Sequence, residues 1–324
     1  MKSFEYAAPT KLTEALDLLG DRWGETEILA GGTDLVTSMK QNLTEPKRVV
    51  SLKNISELRG IQAEAKSLRI GATTTLAELA SDKTVRQHFP ALVTAAEGVG
   101  SAQMMNAGTV GGDLCQRPRC WYFRNGFGVL ARDGDTALVR DGENRYHAIF
   151  GNDGAALFVS PSSLGPALIA LGAVITVAGA KGKKRDIPAA EFFQTPKSES
   201  ERETALKPNE ILTEIKVPIN GLKNATYEVR HRYGLDWPYV TASVAFGAAG
   251  SGVSDARIVL GHVAPTPWPA PGAAKVLSGT KVDAATAAKA GEAAAAGAKP
   301  LQHNAYKVQM VKTAVKRALL AAAG

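Results

Sequence analysis

The sequence predicts an α+β fold in three parts, because strand and helix patterns are arranged differently in successive regions. They alternate in residues 1–54, which is typical of a small α/β subdomain. Residues 55–219 form a larger α+β region, and the proline and glycine of residues 218–221 mark its end. Residues 222–324 place strand patterns first and two helical patterns last, which favours an α+β C-terminal domain.

In the first part, the predicted elements are short. Thr13 is a candidate N-cap for a helix through residues 15–19. Strands are expected over residues 27–30 and 48–52, with a second helix over residues 34–41. This order predicts a small α/β subdomain in which a strand leads into a glycine-rich bend before the second helix.

In the other two parts, longer elements are expected. Strands are predicted over residues 67–72, 173–178, 212–217, 225–232, 240–249 and 256–262, and helices over residues 75–80, 90–98, 160–171, 284–296 and 304–323. Residues 110–115 are interpreted as the end of a glycine-rich turn, and residues 116–150 as a long surface loop. The alanine, lysine and glutamate content of the last two helices predicts close helix packing.

The composition is that of an ordinary globular protein. Of 324 residues, 45% are hydrophobic and 21% are charged. No apolar run approaches the ~20 residues that span a bilayer, and the N-terminus lacks the pattern of a secretory signal. Two cysteines cannot form a disulfide framework, so we expect a reducing, cytoplasmic location. Export as a folded complex on a partner's signal stays open.

The net charge of +7 comes mostly from scattered residues, with one dense basic cluster over residues 181–185. A solvated hairpin tip is the plainer interpretation of this cluster. A docking patch for an acidic partner subunit is the alternative. Because no nucleic-acid-binding motif accompanies the cluster, we expect no nucleic-acid partner.

The strongest chemical signal is a first glycine segment, residues 29–36, in which a strand, two glycines and a helix start follow one another. Glycines let backbone N–H groups converge on one point, because no Cβ blocks a phosphate, and Thr33 adds a hydroxyl donor. The Walker and Rossmann fingerprints are both absent. Taken alone, the segment is either a phosphate cradle or a plain turn.

A second glycine segment, residues 106–114, strengthens the interpretation as a phosphate cradle. It reads N-A-G-T-V-G-G-D-L and again offers several amides and a hydroxyl. Two such segments could hold both ends of a dinucleotide. The nearby glycines of residues 98–100 only approximate the Rossmann pattern, and we interpret that likeness as coincidence.

These segments resemble those of the FAD-binding medium subunits in the xanthine dehydrogenase, aldehyde oxidoreductase and carbon monoxide dehydrogenase family of molybdenum hydroxylases. The first matches the family's A-G-G-T-D-L loop, and the second is similar to its T-(I/V)-G-G-N loop, with Asp113 in place of Asn. The likeness extends from residues 4–16 to residues 300–307. It implies a two-part FAD-binding domain of the PCMH type, then a C-terminal domain of the CO dehydrogenase flavoprotein type.

Within this family, residues 116–124, 146–151 and 160–164 are most similar to the medium subunits of bacterial periplasmic-type aldehyde oxidoreductases. Those relatives carry an extra four-iron cluster on a loop between these segments, and such a cluster needs about four thiolates. Residues 125–144 contain no cysteine here. We therefore predict no iron–sulfur cluster in this chain; a cluster shared with another chain is the remote alternative.

The resemblance also implies which residues contact FAD. Residues 29–36 would hold the pyrophosphate, and residues 109–113 would reach the ribityl and phosphate region. Val99 would form an apolar wall, and Ile211 would lie near the cofactor, whereas Glu228 stands near where the family often has lysine. The candidate cofactor-binding residues are Leu29, Ala30, Gly31, Gly32, Thr33, Asp34, Leu35, Val36, Val99, Gly108, Thr109, Gly111, Gly112, Asp113 and Ile211.

Other chemistry-bearing residues have plainer interpretations. The five histidines lack metal-ligand spacing, so we predict no metal site. Cys115 and Cys120 are expected to be packed thiols, with a redox pair or covalent flavin attachment as weaker alternatives. The aromatic residues 121–123 are core packing, a partner interface or a flavin-stacking surface. Residues 230–233 either approach the flavin phosphate or form an exposed hairpin face.

The resemblance implies a subunit that relays electrons rather than one that oxidises the organic substrate. A molybdenum-cofactor large subunit and a small [2Fe–2S] subunit would supply electrons to FAD, and NAD or a quinone-linked carrier would accept them. We expect no catalytic acid–base residue, in keeping with the absence of a Ser-His-Asp order. The alternatives are a scaffold or assembly subunit without flavin turnover, and a stand-alone flavin oxidoreductase.

Overall fold

Sheets of three, five, four and two strands organise the chain, and helices cover the three larger sheets. The computed structural model describes residues 1–324 except 233, 235, 250 and 251. The strands are β1 (Glu5–Ala7), β2 (Thr26–Leu29), β3 (Arg48–Ser51), β4 (Ile61–Ala63), β5 (Ser67–Gly71), β6 (Arg132–Asp133), β7 (Thr136–Ala137), β8 (Val174–Ala178), β9 (Lys184–Pro188), β10 (Ile211–Pro218), β11 (Lys223–Val229), β12 (Val240–Ala249), β13 (Gly252–Gly261) and β14 (Trp268–Pro269).

The helices lie between and after these strands. They are α1 (Leu12–Asp17), α2 (Leu35–Lys40), α3 (Leu76–Ser81), α4 (Lys83–His88), α5 (Pro90–Glu97), α6 (Ala102–Ala107), α7 (Val110–Cys115), α8 (Trp121–Arg124), α9 (Leu138–Asp141), α10 (Leu164–Leu171), α11 (Ala189–Phe192), α12 (Pro271–Leu277), α13 (Ala284–Ala295) and α14 (Tyr306–Ala323). The mixture of helices and sheets confirms the predicted α+β class.

The first sheet is parallel and has the order β1-β3-β2. Its central strand β3 buries Val49 and Val50, which β-branched side chains favour in a sheet interior. Leu16 of α1 packs in the same apolar cluster as Val50. This packing holds the end of β2, and with it the start of the first glycine segment, at one edge of the subdomain.

The second sheet is antiparallel, with the order β4-β5-β10-β8-β9. Its central strand β10 comes from late in the chain, and Ile215 lies opposite both Ile70 and Ile175. All three isoleucines are fully buried, so this row anchors the second core against α3, α5 and α10. Residues 211–218 therefore close a sheet that was opened some 140 residues earlier, at residues 67–71.

The third sheet, β11-β12-β13-β14, is antiparallel and is covered by α12, α13 and α14. The two alanine-rich helices pack closely, as predicted. A Cβ added to Gly291 of α13 would lie 2.6 Å from the carbonyl oxygen of Lys312 in α14. Small side chains therefore let the two backbones approach each other. In the described part of the chain, no helix is long and apolar enough to cross a membrane.

Three local predictions are wrong. Helix α1 begins at Leu12 with Lys11 as its N-cap, so Thr13 lies inside the helix. Residues 110–115 form helix α7 rather than a turn, because the Thr109 hydroxyl caps it. The supposed loop of residues 116–150 contains α8, α9 and the β6–β7 pair, and buried Asn144 stabilises it by donating to the carbonyl of Val139.

The basic cluster of residues 181–185 lies at the exposed β8–β9 connection and on β9, which fits the predicted hairpin tip. The strand predicted over residues 225–232 ends at Val229, so residues 230–232 lie beyond β11. Tyr233, which the sequence grouped with them, lies outside the described residues.

Candidate functional site

The first glycine segment connects β2 to α2 at the edge of the first sheet. Gly32 has a φ of +77°, a conformation that glycine adopts without steric penalty. Among the described residues, no hydrogen-bond acceptor is found for the backbone amides of Gly31 to Asp34. Four consecutive N–H groups are thus available to a ligand, as an anion-binding bend requires.

The second glycine segment lies against the first. A Cβ added to Gly31 would be 1.8 Å from the carbonyl oxygen of Ala107, so only glycine allows this approach. The space beside Gly108 is also tight, because a Cβ there would lie 2.9 Å from the carbonyl oxygen of Met104 and 3.9 Å from the Thr33 hydroxyl. The structure therefore brings together the two segments that the sequence singled out.

The expectation that the second segment offers several available amides is wrong. Val110 and Gly111 donate to the carbonyl oxygens of Thr74 (2.9 Å) and Ala72 (2.8 Å). Gly112 donates to the Thr109 hydroxyl at 3.1 Å, and Asp113 donates to the Thr109 carbonyl at 2.9 Å. The first two of these bonds hold the start of α7 against the residues that follow β5, and the other two close its first turn on Thr109. The second segment thus supports the first rather than presenting a cradle of its own.

Two connected recesses border these segments. The larger has a volume of about 220 Å³, and the smaller, of about 150 Å³, shares Thr33, Asp34, Thr109, Gly112 and Gln116 with it. Among the candidate residues, the larger is lined by Ala30, Gly31, Gly32, Thr33, Asp34, Leu35, Thr109, Gly111, Gly112 and Ile211, and Val99, Gly108 and Asp113 line the smaller.

Leu29 and Val36 are not among the lining residues of either recess. Instead, the Leu29 Cδ1 and Val36 Cγ2 atoms lie 3.3 Å and 3.2 Å from the position of a Cβ on Gly32. They pack beneath the bend. Their contribution to a ligand would therefore be to hold the backbone of the first segment in place.

Asp34 is held by arginines that the sequence analysis did not identify as site residues. Its Oδ1 atom accepts from Arg119 Nη1 at 2.9 Å and from Arg124 Nη2 at 2.8 Å. Its Oδ2 atom accepts from the backbone amide of Arg117 at 2.8 Å. Two positive side chains therefore offset the negative charge of Asp34 beside the available amides. The only signal in the sequence is three arginines within residues 117–124.

Another part of the lining of the larger recess consists of charged and aromatic side chains. The guanidinium of Arg202 lies 5.0 Å from the ring centre of Trp23, and Arg117 Nε is 3.0 Å from a carboxylate oxygen of Glu203. Burial raises the pKa of both Glu27 and Glu203, and the positive charge of Arg117 opposes that rise. The wall thus offers a flat ring face together with cations already paired to carboxylates.

Asp113 does not direct its charge at the cradle. Oδ2 accepts from the Ser162 hydroxyl at 2.6 Å and from the Leu164 amide at 3.0 Å. Oδ1 accepts from the Ser163 amide at 3.2 Å and from Gln116 Nε2 at 3.1 Å. Burial raises the pKa of Asp113, and the bonds from Ser162 and the backbone counteract this effect. The carboxylate of Asp113 therefore anchors the start of α10.

The carboxylate of Glu228 is also bonded to another side chain of the chain. It forms a buried ion pair with Arg230, and burial is the largest influence on its raised pKa. A Cβ on Gly98 would clash with Glu228 Oε2, so this pair lies directly against the turn that carries Val99. The carboxylate thus supports the wall of the smaller recess.

The two thiols have different surroundings. Burial raises the pKa of Cys115 to about 12, so this thiol stays protonated at neutral pH. Cys120 Sγ lies 3.1 Å from His147 Nε2, and burial lowers the pKa of His147 to about 4. The Cys120–His147 pair is therefore neutral near pH 7, which argues against a reactive thiolate.

Comparison with known proteins agrees with this architecture. Residues 2–220 match the family described as the FAD binding domain in molybdopterin dehydrogenase, and residues 225–322 match the CO dehydrogenase flavoprotein C-terminal domain. The carbon monoxide dehydrogenase medium chain of Hydrogenophaga pseudoflava is 32% identical over 98% of this chain and 96% of its own length.

Two further proteins show the same likeness. The aldehyde oxidoreductase FAD-binding subunit PaoB of Escherichia coli strain K12 is 31% identical over 83% of this chain and 84% of its own length. The solved quinoline 2-oxidoreductase of Pseudomonas putida 86 superposes with a TM-score of 0.77 at 27% identity, covering 100% of this chain and 98% of the matched chain. The chain belongs to the family of FAD-binding domains in molybdopterin dehydrogenases, and it is an oxidoreductase flavoprotein subunit with FAD as its cofactor.

Proposed function

We propose that this chain relays electrons within a multi-subunit molybdenum hydroxylase. In this proposal, a large subunit with a molybdenum cofactor oxidises the organic substrate, and a small [2Fe–2S] subunit supplies electrons. NAD or a quinone-linked carrier accepts them. Relatives that are named as a medium chain or an FAD-binding subunit support such an assembly, because those names describe parts of larger enzymes.

The observation that carries the proposal is the row of available amides at Gly31 to Asp34, next to a second segment that fixes their position. These amides would bind the pyrophosphate of FAD. Residues 109–113 would border the ribityl chain through the Thr109 side chain and the glycine surfaces, whereas Val99 and Ile211 would contact the cofactor as apolar walls.

When bound, FAD supplies the redox chemistry, since it can take up electrons singly and release two. The protein residues position it and restrict water. Arg119 and Arg124 hold Asp34, which keeps the 117–124 segment against the first glycine segment. Electron relay needs no acid–base pair, and we assign none to the described residues that line the two recesses.

We also propose that the subdomain boundaries predicted from the sequence hold: residues 1–54, 55–219 and 222–324.

The first test concerns the cradle. Backbone amide exchange would be measured by NMR on flavin-free protein and after addition of FAD. We expect FAD to slow exchange of the Gly31 to Asp34 amides roughly tenfold or more, while the amides of residues 110–113 are protected in both states. Equal protection of both segments before FAD is added would contradict the proposed cradle.

The second test concerns the relay. The tagged chain would be purified with its natural partners and analysed for flavin, molybdenum and iron. We expect a yellow complex that contains all three, whose flavin absorbance bleaches with dithionite and returns on mixing with NAD⁺ or menadione. A colourless chain that cannot be reconstituted with FAD would support the scaffold alternative. A yellow chain without molybdenum or iron would support a stand-alone oxidoreductase.

A further inference from the structure

Another cavity, of about 370 Å³, lies between α8, the segment around His147, and residues 231–232 and 236–239. This volume is within the range of about 300–1,000 Å³ that small-molecule sites occupy. Of the candidate flavin-contacting residues, none is in its lining. It adjoins the smaller recess, with which it shares Arg119, Asp236, Trp237 and Pro238.

Aromatic rings form much of the cavity wall. Trp121 lies 5.4 Å from Tyr146 between ring centres, and Tyr146 lies 5.5 Å from Tyr239. Trp237 lines the cavity as well, with the guanidinium of Arg119 4.9 Å from its ring centre. Aromatic residues on more than one side favour an aromatic ligand, because ring–ring contacts stabilise it beyond simple burial.

A buried cation lies at one end of the cavity. Lys307 is 1% exposed and donates to the carbonyl oxygens of Tyr146 (3.1 Å), His147 (3.1 Å) and His262 (2.8 Å). The three acceptors of its amine are all backbone carbonyls, and no carboxylate of the described residues pairs with it. Burial lowers the pKa of Lys307 to about 7, so an anion bound beside it would favour the charged form.

Other polar groups in the cavity lining differ in whether they have partners. Arg119 Nε is buried and has no hydrogen-bond partner among the described residues, whereas the rings of His147 and His262 face the backbone carbonyls of Asn144 and Pro161. Burial lowers the pKa of His262 to about 3, so its ring is neutral at pH 7. Asp236 supplies the one carboxylate in the described lining, and it is paired with Arg232 at 3.1 Å. Arg119 is paired with Asp34 through Nη1, so the cavity lining has one unpaired N–H donor, Arg119 Nε, and one buried amine without a carboxylate, Lys307.

We propose that this cavity binds a small planar aromatic carboxylate, whose ring packs against Trp121 and Tyr146 and whose anionic oxygens accept from Arg119 and compensate Lys307. A carboxylate accepts from the unpaired Arg119 Nε and balances the charge of Lys307, whereas a neutral aromatic only contacts the rings. A non-aromatic anion satisfies only the charge. The two features together define the ligand class.

The test is a titration of the purified full chain with benzoate, followed by tryptophan fluorescence and calorimetry. Two of the four tryptophans, Trp121 and Trp237, line the cavity, so quenching reports occupancy. We expect one saturable site, with at least tenfold weaker binding of cyclohexanecarboxylate and of benzyl alcohol. Absence of saturable binding, or equal binding of cyclohexanecarboxylate, would overturn the proposal.

Variants locate the site. Lys307→Met and Tyr146→Ala should each weaken benzoate binding at least tenfold, and Trp23→Phe in the larger recess should leave it unchanged. Tyr146 is 44% exposed, so Tyr146→Ala keeps the test decisive if Lys307→Met does not fold. Saturating FAD should alter the benzoate affinity less than threefold. Displacement of benzoate by FAD would instead make the cavity part of the flavin site and overturn the proposal.

Discussion

The two glycine segments have similar sequences, but they differ in whether their backbone amides already have hydrogen-bond acceptors. In the first, the amides of Gly31 to Asp34 have no acceptor among the described residues, whereas in the second, the amides of residues 110–113 all donate to oxygens of the chain. The acidic residues also differ, because arginines bind Asp34 and neutral donors bind Asp113. A glycine-rich motif therefore does not by itself reveal whether it presents a ligand site or supports one.

The largest expected effect comes from separating the two segments. Gly31→Ala places a Cβ 1.8 Å from the carbonyl oxygen of Ala107, and a backbone atom cannot rotate away as a side chain can. We expect the free energy of unfolding to fall by about 3 kcal/mol, at the upper end of typical overpacking costs. We also expect FAD affinity to fall at least tenfold, about 1.4 kcal/mol. Urea denaturation and flavin fluorescence measure the two quantities.

Gly154→Ala is the matched control for Gly31→Ala. A Cβ on Gly154 meets no atom within 4 Å, and its φ is not in the left-handed region. This variant should keep both stability and flavin affinity. If Gly31→Ala behaved like Gly154→Ala, the close contact between the two segments would not be required.

The next largest effect is expected from removing the charge of Asp34, the acidic residue of the first segment. Asp34→Asn removes the charge that pairs with Arg119 and Arg124, whose side chains are 25% and 13% exposed. We expect a loss of about 2 kcal/mol in the free energy of unfolding, because two largely buried guanidinium groups lose their carboxylate. Thermal and urea unfolding would measure the loss.

The same substitution at an exposed ion pair gives the comparison for Asp34→Asn. Asp153 pairs with Lys299 at 2.6 Å, but their side chains are 75% and 65% exposed. Asp153→Asn should therefore change stability by less than about 0.5 kcal/mol. Equal losses for the two variants would show that the arginines do not depend on Asp34.

The sequence predicted the first segment because its signal is local: a strand, two glycines and a helix follow one another within eight residues. The partners of the second segment are only partly local. Gly112 and Asp113 donate to Thr109, but the amides of Val110 and Gly111 donate to Thr74 and Ala72, and the carboxylate of Asp113 binds residues 49 to 51 positions later. No periodic pattern encodes such contacts, so the available and the occupied amides could not be distinguished before the fold was known.

The fold shows the same difference between features that are encoded locally and features that depend on long-range contacts. Strands such as 240–249 were predicted from their own pattern, but the central place of β10 in the second sheet depends on pairing with β5, as between Glu214 and Gly71. Asp34 accepts hydrogen bonds from Arg117 and Arg124, which lie 83 and 90 positions later in the chain. Chain topology, rather than local propensity, brings these side chains together.

The smallest expected effect concerns Asp113, whose partners are neutral. Asp113→Asn keeps the shape, but an amide nitrogen replaces one of the two oxygens that accept hydrogen bonds at the start of α10, so we expect a loss of about 1 kcal/mol at pH 7. The sign of its pH dependence is more informative. Because burial raises the pKa of Asp113, the folded state binds the proton more tightly than the unfolded state does.

As pH rises above 3.8, the ordinary pKa of an aspartate, the unfolded chain loses the Asp113 proton first. The folded protein therefore loses stability with rising pH until the pH exceeds the raised pKa of Asp113 in the folded state. The variant has no such group. From pH 4.5 to pH 7, the stability of the native protein should therefore fall relative to that of Asp113→Asn in urea denaturation. A relative gain with rising pH would mean that the hydrogen bonds from Ser162 and the backbone amides outweigh burial in setting the pKa of Asp113.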